Sequence, residues 1–245
     1  MDPLQRGTHE LHRATGVVAS MLAHPLRTFL WVTLALFAVR PALEMGPMLI
    51  VVDAIFTIVL IAVMHQLSHS RAIFVGALFV LALTVVARVA EDDSHAFSWL
   101  NEAATALSAT LIGVVIALLL NYVLRAPRVT HNTVLAAVCI YVLLGVLWGF
   151  IYLLIYEANP KSFELDTSLG PAEVQLRYFS TLTLTTVGYG DIVPRGPEAR
   201  AFAALESLIG QIYMAAIIAR LVGIEVATSA TTATTAPSAA PDTDR

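Results

Sequence analysis

Charge is scarce in this chain. Only 13% of its 245 residues are charged while 58% are hydrophobic, and mean hydropathy is +0.77, which excludes a soluble domain of ordinary composition. Cysteine is nearly absent. Cys139 is the single one and sits inside an apolar run, so no internal disulfide or cysteine metal cluster can form and a small buried apolar residue is expected there. Nowhere do a nucleophile, a base and an orienting group come together, and no set of ligands has metal-binding spacing, so an enzyme is not expected. The net charge of −4 is modest and names no partner; no nucleic acid is expected. Some 25 mostly polar residues, Met1 to His24, precede the first apolar run, against the layout of a cleaved signal peptide.

What the chain has in place of charge is a series of apolar runs long enough to cross a hydrocarbon core about 30 Å thick at about 1.5 Å per residue. Spans are expected near Leu26 to Leu43, Pro47 to His65, Ala72 to Ala90, Ala103 to Leu124, Thr133 to Tyr156 and Ala199 to Gly223. Pro41, Gly46 and Pro47 mark a tight turn between the first two. A seventh apolar segment, Pro171 to Thr185, opens on a proline suited to a first helical turn and is too short to span. The expected fold is an all-α membrane protein of six transmembrane helices plus this re-entrant helix. Its divisions are a cytoplasmic segment 1–25, a four-helix domain 26–124, a pore domain 133–224 and a disordered tail 225–245, rich in Ala, Thr, Ser and Pro.

Six spans place both termini on one side. With the termini inside, eight basic residues against five acids face the cytoplasm and six against eleven face outward, the sense that the positive-inside rule favours. The short segment carrying Arg125 and Arg128 supports the same orientation, in a cell (plasma) membrane. Two acids fall deep in spans. Asp53 is expected to pair within the first four helices, and Glu206 to bond hydroxyls of the re-entrant helix or of the loop that follows it, such as Thr183 or Thr185, a pH-dependent gate being the alternative to a purely structural bond. Arg40 and Arg88 read as anchors at span ends.

Between the half-length helix and the last span lies Thr183-Leu184-Thr185-Thr186-Val187-Gly188-Tyr189-Gly190-Asp191. Irregular backbone at membrane depth is tolerated only when buried in protein or lining a cavity, so this loop should face a pore. Successive carbonyls of an extended loop, repeated in four copies, make rings of oxygens that can replace the water around a potassium ion. Aiming every carbonyl one way requires left-handed dihedrals at alternate residues, which Gly188 and Gly190 reach without steric cost. Val187 and Tyr189 should then point away from the axis and pack against the half-helix, and Thr186 should add its hydroxyl at the inner end.

On these residues, from roughly Thr133 to Gly223, the chain resembles the potassium-channel superfamily, whose filter is a Thr-Val-Gly-Tyr-Gly loop. The resemblance implies potassium coordination by Thr186, Val187, Gly188, Tyr189 and Gly190, with support from Thr185, Asp191, Tyr178, Phe179 and Glu206. Tyr178 and Phe179 fall where the family often carries an aromatic pair. Phe179 cannot donate a hydrogen bond, so bracing of Asp191 must come from elsewhere, and Leu182 stands where some members place a carboxylate. Gly210 resembles the inner-helix glycine at which family members bend, the alternative being a small residue at a helix contact. Gln211, Met214, Ile218 and Val222, three or four residues apart, would line the cavity.

Potassium would be the transported ion and no other cofactor is implied. A single filter loop per chain calls for a tetramer, most simply a homotetramer, in contact with membrane lipid; accessory subunits are not named by the sequence. A voltage sensor needs several arginines at three-residue intervals in the fourth span. From Ala103 to Leu124 there are none, so weak or absent voltage dependence is expected. Rival readings are a potassium transporter subunit, a regulatory or heteromeric channel subunit, and a weakly selective cation channel.

Overall fold

The computed structural model describes residues 25–39, 60, 75, 76, 79, 82, 83 and 98–234. The second and third expected spans lie largely outside the described residues, as do Asp53, Arg40, Arg88, residues 1–24 and residues 235–245.

Apolar runs without internal proline become long helices. These are α1 (Pro25–Val39), α2 (Ser98–Arg125), α3 (His131–Ala158) and α5 (Pro197–Thr234), with the shorter α4 (Ala172–Leu184) between the last two. Stretches within α2, α3 and α5 are long and apolar enough to cross a membrane: Glu102–Arg125, His131–Ala158 and Pro197–Ile224. Each helix runs past its expected span because polar residues at the membrane boundary continue it. The last one goes furthest, so the first part of the segment expected to be disordered, up to Thr234, is helical.

Pro127 follows α2, and α3 restarts on a capping box. Thr130 Oγ1 accepts from the Thr133 amide at 3.2 Å, and the Thr130 amide donates to Thr133 Oγ1 at 3.4 Å. The two helices then run antiparallel. Leu111, Ile112, Val115, Leu119 and Val123 of α2 pack with Ala136, Ala137, Ile140, Leu143 and Val146 of α3, and Phe29 of α1 joins them. Cys139 is buried here and free, its Sγ 3.7 Å from the Leu26 carbonyl oxygen.

Helix α3 carries a second, aromatic cluster nearer its C-terminal end. Tyr152, Phe163 and Phe179 meet edge to face with centroids 5.1 to 5.5 Å apart. Beyond α3 the chain makes two short 3-10 turns and a strand β1 (Phe163–Glu164), which pairs antiparallel with β2 (Val193–Pro194). This ties the segment before α4 to the segment after its loop. Across the pair, Arg195 Nε donates to Glu164 Oε2 at 2.9 Å.

Two glycines, Gly149 and Gly210, fix how closely the helices approach. A Cβ on Gly149 of α3 would stand 2.7 Å from Arg177 Cγ and 3.1 Å from its Cα, and one on Gly145 would touch Leu184 at 3.6 Å. On α5, a Cβ at Gly210 would stand 2.5 Å from the Leu184 carbonyl oxygen. At Gly149 and Gly210, helix α4 is therefore wedged between α3 and α5 at distances only small residues allow, which is how helices associate where no hydrophobic effect draws them together.

Candidate functional site

Helix α4 begins at Ala172, with Pro171 as its N-cap in an extended conformation. Glu173 in the first turn suits the positive end of the helix dipole and accepts from Arg177 Nη2 at 2.7 Å. The Arg177 guanidinium also lies over the Phe150 ring, 4.6 Å from its centroid. The segment before α4 is held by a buried glutamine: Gln175 Nε2 donates to the carbonyls of Asp166 and Gly170, both at 2.8 Å, and its Oε1 accepts from the Asp166 amide at 3.2 Å. The Ser168 hydroxyl and amide both donate to Asp166 Oδ1, which holds that carboxyl below its usual range.

At the other end the helix stops abruptly. The Thr185 amide bonds back to the Thr181 carbonyl at 3.0 Å, while the amides of Val187 and Gly188 both reach the Leu182 carbonyl, at 2.9 and 3.3 Å. Thr185 Oγ1 donates to the Thr181 carbonyl at 2.7 Å. The chain then enters the loop with a positive φ at Thr186 (59°), Gly188 (51°) and Gly190 (81°). Left-handed residues thus alternate, as carbonyls aimed to one side require. Thr186 adopts that conformation against the steric cost of its Cβ.

Residues 185–191 are all exposed on the single chain. Val187 and Tyr189 are 50% and 73% exposed on the single chain.

Asp191 is braced by Tyr178, whose hydroxyl donates to Asp191 Oδ2 at 2.8 Å. Phe179 faces the opposite way, into the cluster with Tyr152 and Phe163, so the aromatic pair divides its work between loop and scaffold. Glu206 is fully buried behind α4. A hydroxyl of the half-helix does meet it, as expected, but it is that of Ser180 and not of Thr183 or Thr185, and Tyr152 of α3 joins it. Tyr152 of α3 donates to Glu206 Oε2 at 2.5 Å, and Ser180 Oγ stands 2.6 Å from Oε1. At the next residue of α5, Ser207 Oγ approaches the Thr183 carbonyl at 3.4 Å.

Gly210 sits in an unbroken stretch of α5, its size fixed by the Leu184 carbonyl. That gives a reason for glycine that requires no bend. The same carbonyl accepts from the Tyr141 hydroxyl at 3.1 Å. Gln211, Met214, Ile218 and Val222 lie along one exposed flank of α5, whereas Glu206, Gly210 and Ile217 mark its buried side. At the far end of the helix Arg220 Nη2 donates to the carbonyl of Leu124, at the C-terminus of α2.

Several of these residues have no signature of their own in the sequence. Tyr141 and Tyr152 are two of several tyrosines on an apolar helix and Ser180 is one of several polar residues on α4, and only the spacing of Gly145 and Gly149, four apart on α3, hints at a close crossing.

Residues 138–226 match the model of a family described as ion channel. The protein named two pore potassium channel c of Oryza sativa subsp. japonica is 38% identical over 73 residues. That match covers 26% of this chain and 16% of the relative, so the chain spans only a small part of that protein's length. No solved structure matches. The comparisons support an integral membrane protein of the ion-channel kind and not an enzyme, and the matched segment contains the half-helix, its loop and most of the final helix.

Proposed function

We propose that the chain is one subunit of a potassium-selective channel, with residues 186–190 as its selectivity filter. The observation that carries this reading is the alternation of left-handed dihedrals at Thr186, Gly188 and Gly190. A loop so twisted presents consecutive carbonyl oxygens to one side, where four copies form stacked rings around an ion. The name of the Oryza sativa relative, a two pore potassium channel, supports potassium as that ion. Potassium would be held at Thr186, Val187, Gly188 and Tyr189, and no other cofactor takes part.

The same loop calls for a tetramer. Its polar backbone is exposed on a single chain, and hydrocarbon cannot satisfy it. Three further copies around an axis would enclose it together with water and ions, most simply as a cyclic homotetramer. Gln211, Met214, Ile218 and Val222 would then line a cavity below the filter, toward which α4 points the negative end of its dipole. A second exposed stripe of α5, Leu205, Leu208 and Ile212, is free to meet a neighbouring copy or lipid.

Helix α2 carries charge only at Glu102 and Arg125, near its two ends. It therefore offers the membrane field nothing to move, and the pore is one that voltage does not chiefly control. The distribution of basic residues supports an orientation with both termini in the cytoplasm, and the membrane proposed is the plasma membrane.

The test is reconstitution in liposomes loaded with potassium or sodium, followed by tracer flux, alongside native mass measurement. Potassium flux well above sodium flux and a mass of four chains are expected. Equal fluxes, or stable dimers that conduct, would overturn the reading.

A further inference from the structure

Behind the loop, three helices meet at one carboxyl group. Glu206 of α5 has no exposed surface. Its Oε2 lies 2.5 Å from the Tyr152 hydroxyl of α3, and its Oε1 lies 2.6 Å from Ser180 Oγ of α4. Ser180 Oγ lies in turn 2.7 Å from the carbonyl oxygen of Gly145, back on α3.

These three contacts can be filled with protons in only one way. The Gly145 carbonyl has no proton to give, and a serine hydroxyl has one. Ser180 must therefore donate to Gly145, which leaves its oxygen as an acceptor toward Glu206. The contact between Ser180 Oγ and Glu206 Oε1 then needs a proton from Glu206 itself. Tyr152 supplies the third, to Oε2. An ionised Glu206 would leave three oxygen-to-oxygen contacts with two protons among them, and one buried pair of lone pairs would face each other.

The charges around the site do not alter this count. Among the described residues no cation bonds Glu206. Arg177, on the same helix as Ser180, is engaged with Glu173 and the Phe150 ring. Tyr141, on the same helix as Tyr152, gives its hydroxyl proton to the Leu184 carbonyl.

We infer that Glu206 is held as a neutral carboxylic acid in a hydrogen-bond chain running from Tyr152 through Glu206 and Ser180 to Gly145. The chain starts and ends on α3, two turns apart, and passes through α5 and α4 on the way. It thereby fixes the rotation and depth of α4, whose end at Leu184 lies two residues before Thr186. Glu206 is on this account a positioning residue for the loop. Its effect on ion flux rests on the channel reading above, whereas its protonation does not.

The experiment compares reconstituted wild-type protein with Glu206→Gln by infrared difference spectroscopy at neutral pH. Loss of a protonated-carboxyl stretching band in the variant is expected; loss of carboxylate bands instead would overturn the inference. The amide of Glu206→Gln can donate to Ser180 and accept from Tyr152, so this variant should keep potassium flux within about twofold of wild type. Ser180→Ala and Glu206→Ala, which break the chain, should lower flux or potassium preference by about tenfold. Failure of Glu206→Gln to assemble, or flux as low as that of Glu206→Ala, would also overturn it. Where wild-type protein carries no potassium flux, the channel reading fails, and the infrared comparison still decides the protonation of Glu206.

Discussion

The Tyr178 hydroxyl donates to Asp191 Oδ2 at 2.8 Å, joining the half-helix to the outer end of the loop it supports. The bond spans 13 residues of chain and is made by an exposed pair, so it contributes modestly.

Replacing Tyr178 with Phe removes the donor and keeps the ring. The account predicts potassium selectivity unchanged and a conducting loop less persistent by about fivefold, the equivalent of that bond. Single-channel recording of open-burst duration checks this. Bursts as long as those of wild type would remove Tyr178 from its bracing role.

At Gly188 the demand is conformational. Its φ is 51° and a Cβ there would meet nothing within 4 Å on the single chain. Gly188→Ala therefore isolates the dihedral cost, about 1 to 2 kcal/mol per subunit. Potassium preference over sodium should fall by an order of magnitude or more, measured as a ratio of tracer fluxes, while assembly is retained.

These two sites differ in how far the linear sequence discloses them. The glycines at 188 and 190 are visible because the conformation they permit is a local property of the residue. Long apolar runs likewise announce α2, α3 and α5, although their ends fall beyond the expected ones, at Ser98, Ala158 and Thr234. Partners across helices are another matter. Helix α3 is apolar nearly all round, so its pattern does not reveal which side meets α4. That side is set above all by Gly149, where Arg177 of α4 comes too close for any side chain. The resulting rotation brings Tyr152 and Ser180, in place of Thr183 or Thr185, to Glu206. It also leaves Tyr178 as the brace for Asp191.

Gly210 separates a bending role from a packing role. A Cβ at this position would stand 2.5 Å from the Leu184 carbonyl oxygen, a backbone atom that cannot move alone. Gly210→Ala should destabilise the assembled protein by about 1 to 3 kcal/mol through displacement of α4, seen as a lower melting temperature in detergent. A residue that matters only for bending would change gating and leave the melting temperature unmoved.

Arg220 is the polar link between the final helix and α2. Its guanidinium donates to the Leu124 carbonyl and stands 3.5 Å from that of Val123, where a positive charge also suits the negative end of the α2 dipole. Arg220→Gln should weaken this attachment by about 1 kcal/mol and raise hydrogen exchange at the C-terminal turn of α2. Unchanged exchange there would show that the helices hold together by apolar packing alone.

The central claim is that the Thr186 to Gly190 carbonyls select potassium in a pore that voltage does not chiefly control. It is tested most directly by current recording from reconstituted protein, with potassium on one side of the bilayer and sodium on the other, over a voltage ramp. The account predicts a reversal potential that follows the potassium gradient and a conductance that changes little along the ramp. A reversal potential indifferent to potassium would contradict the claim of selectivity, and steep activation by voltage would contradict the role assigned to α2.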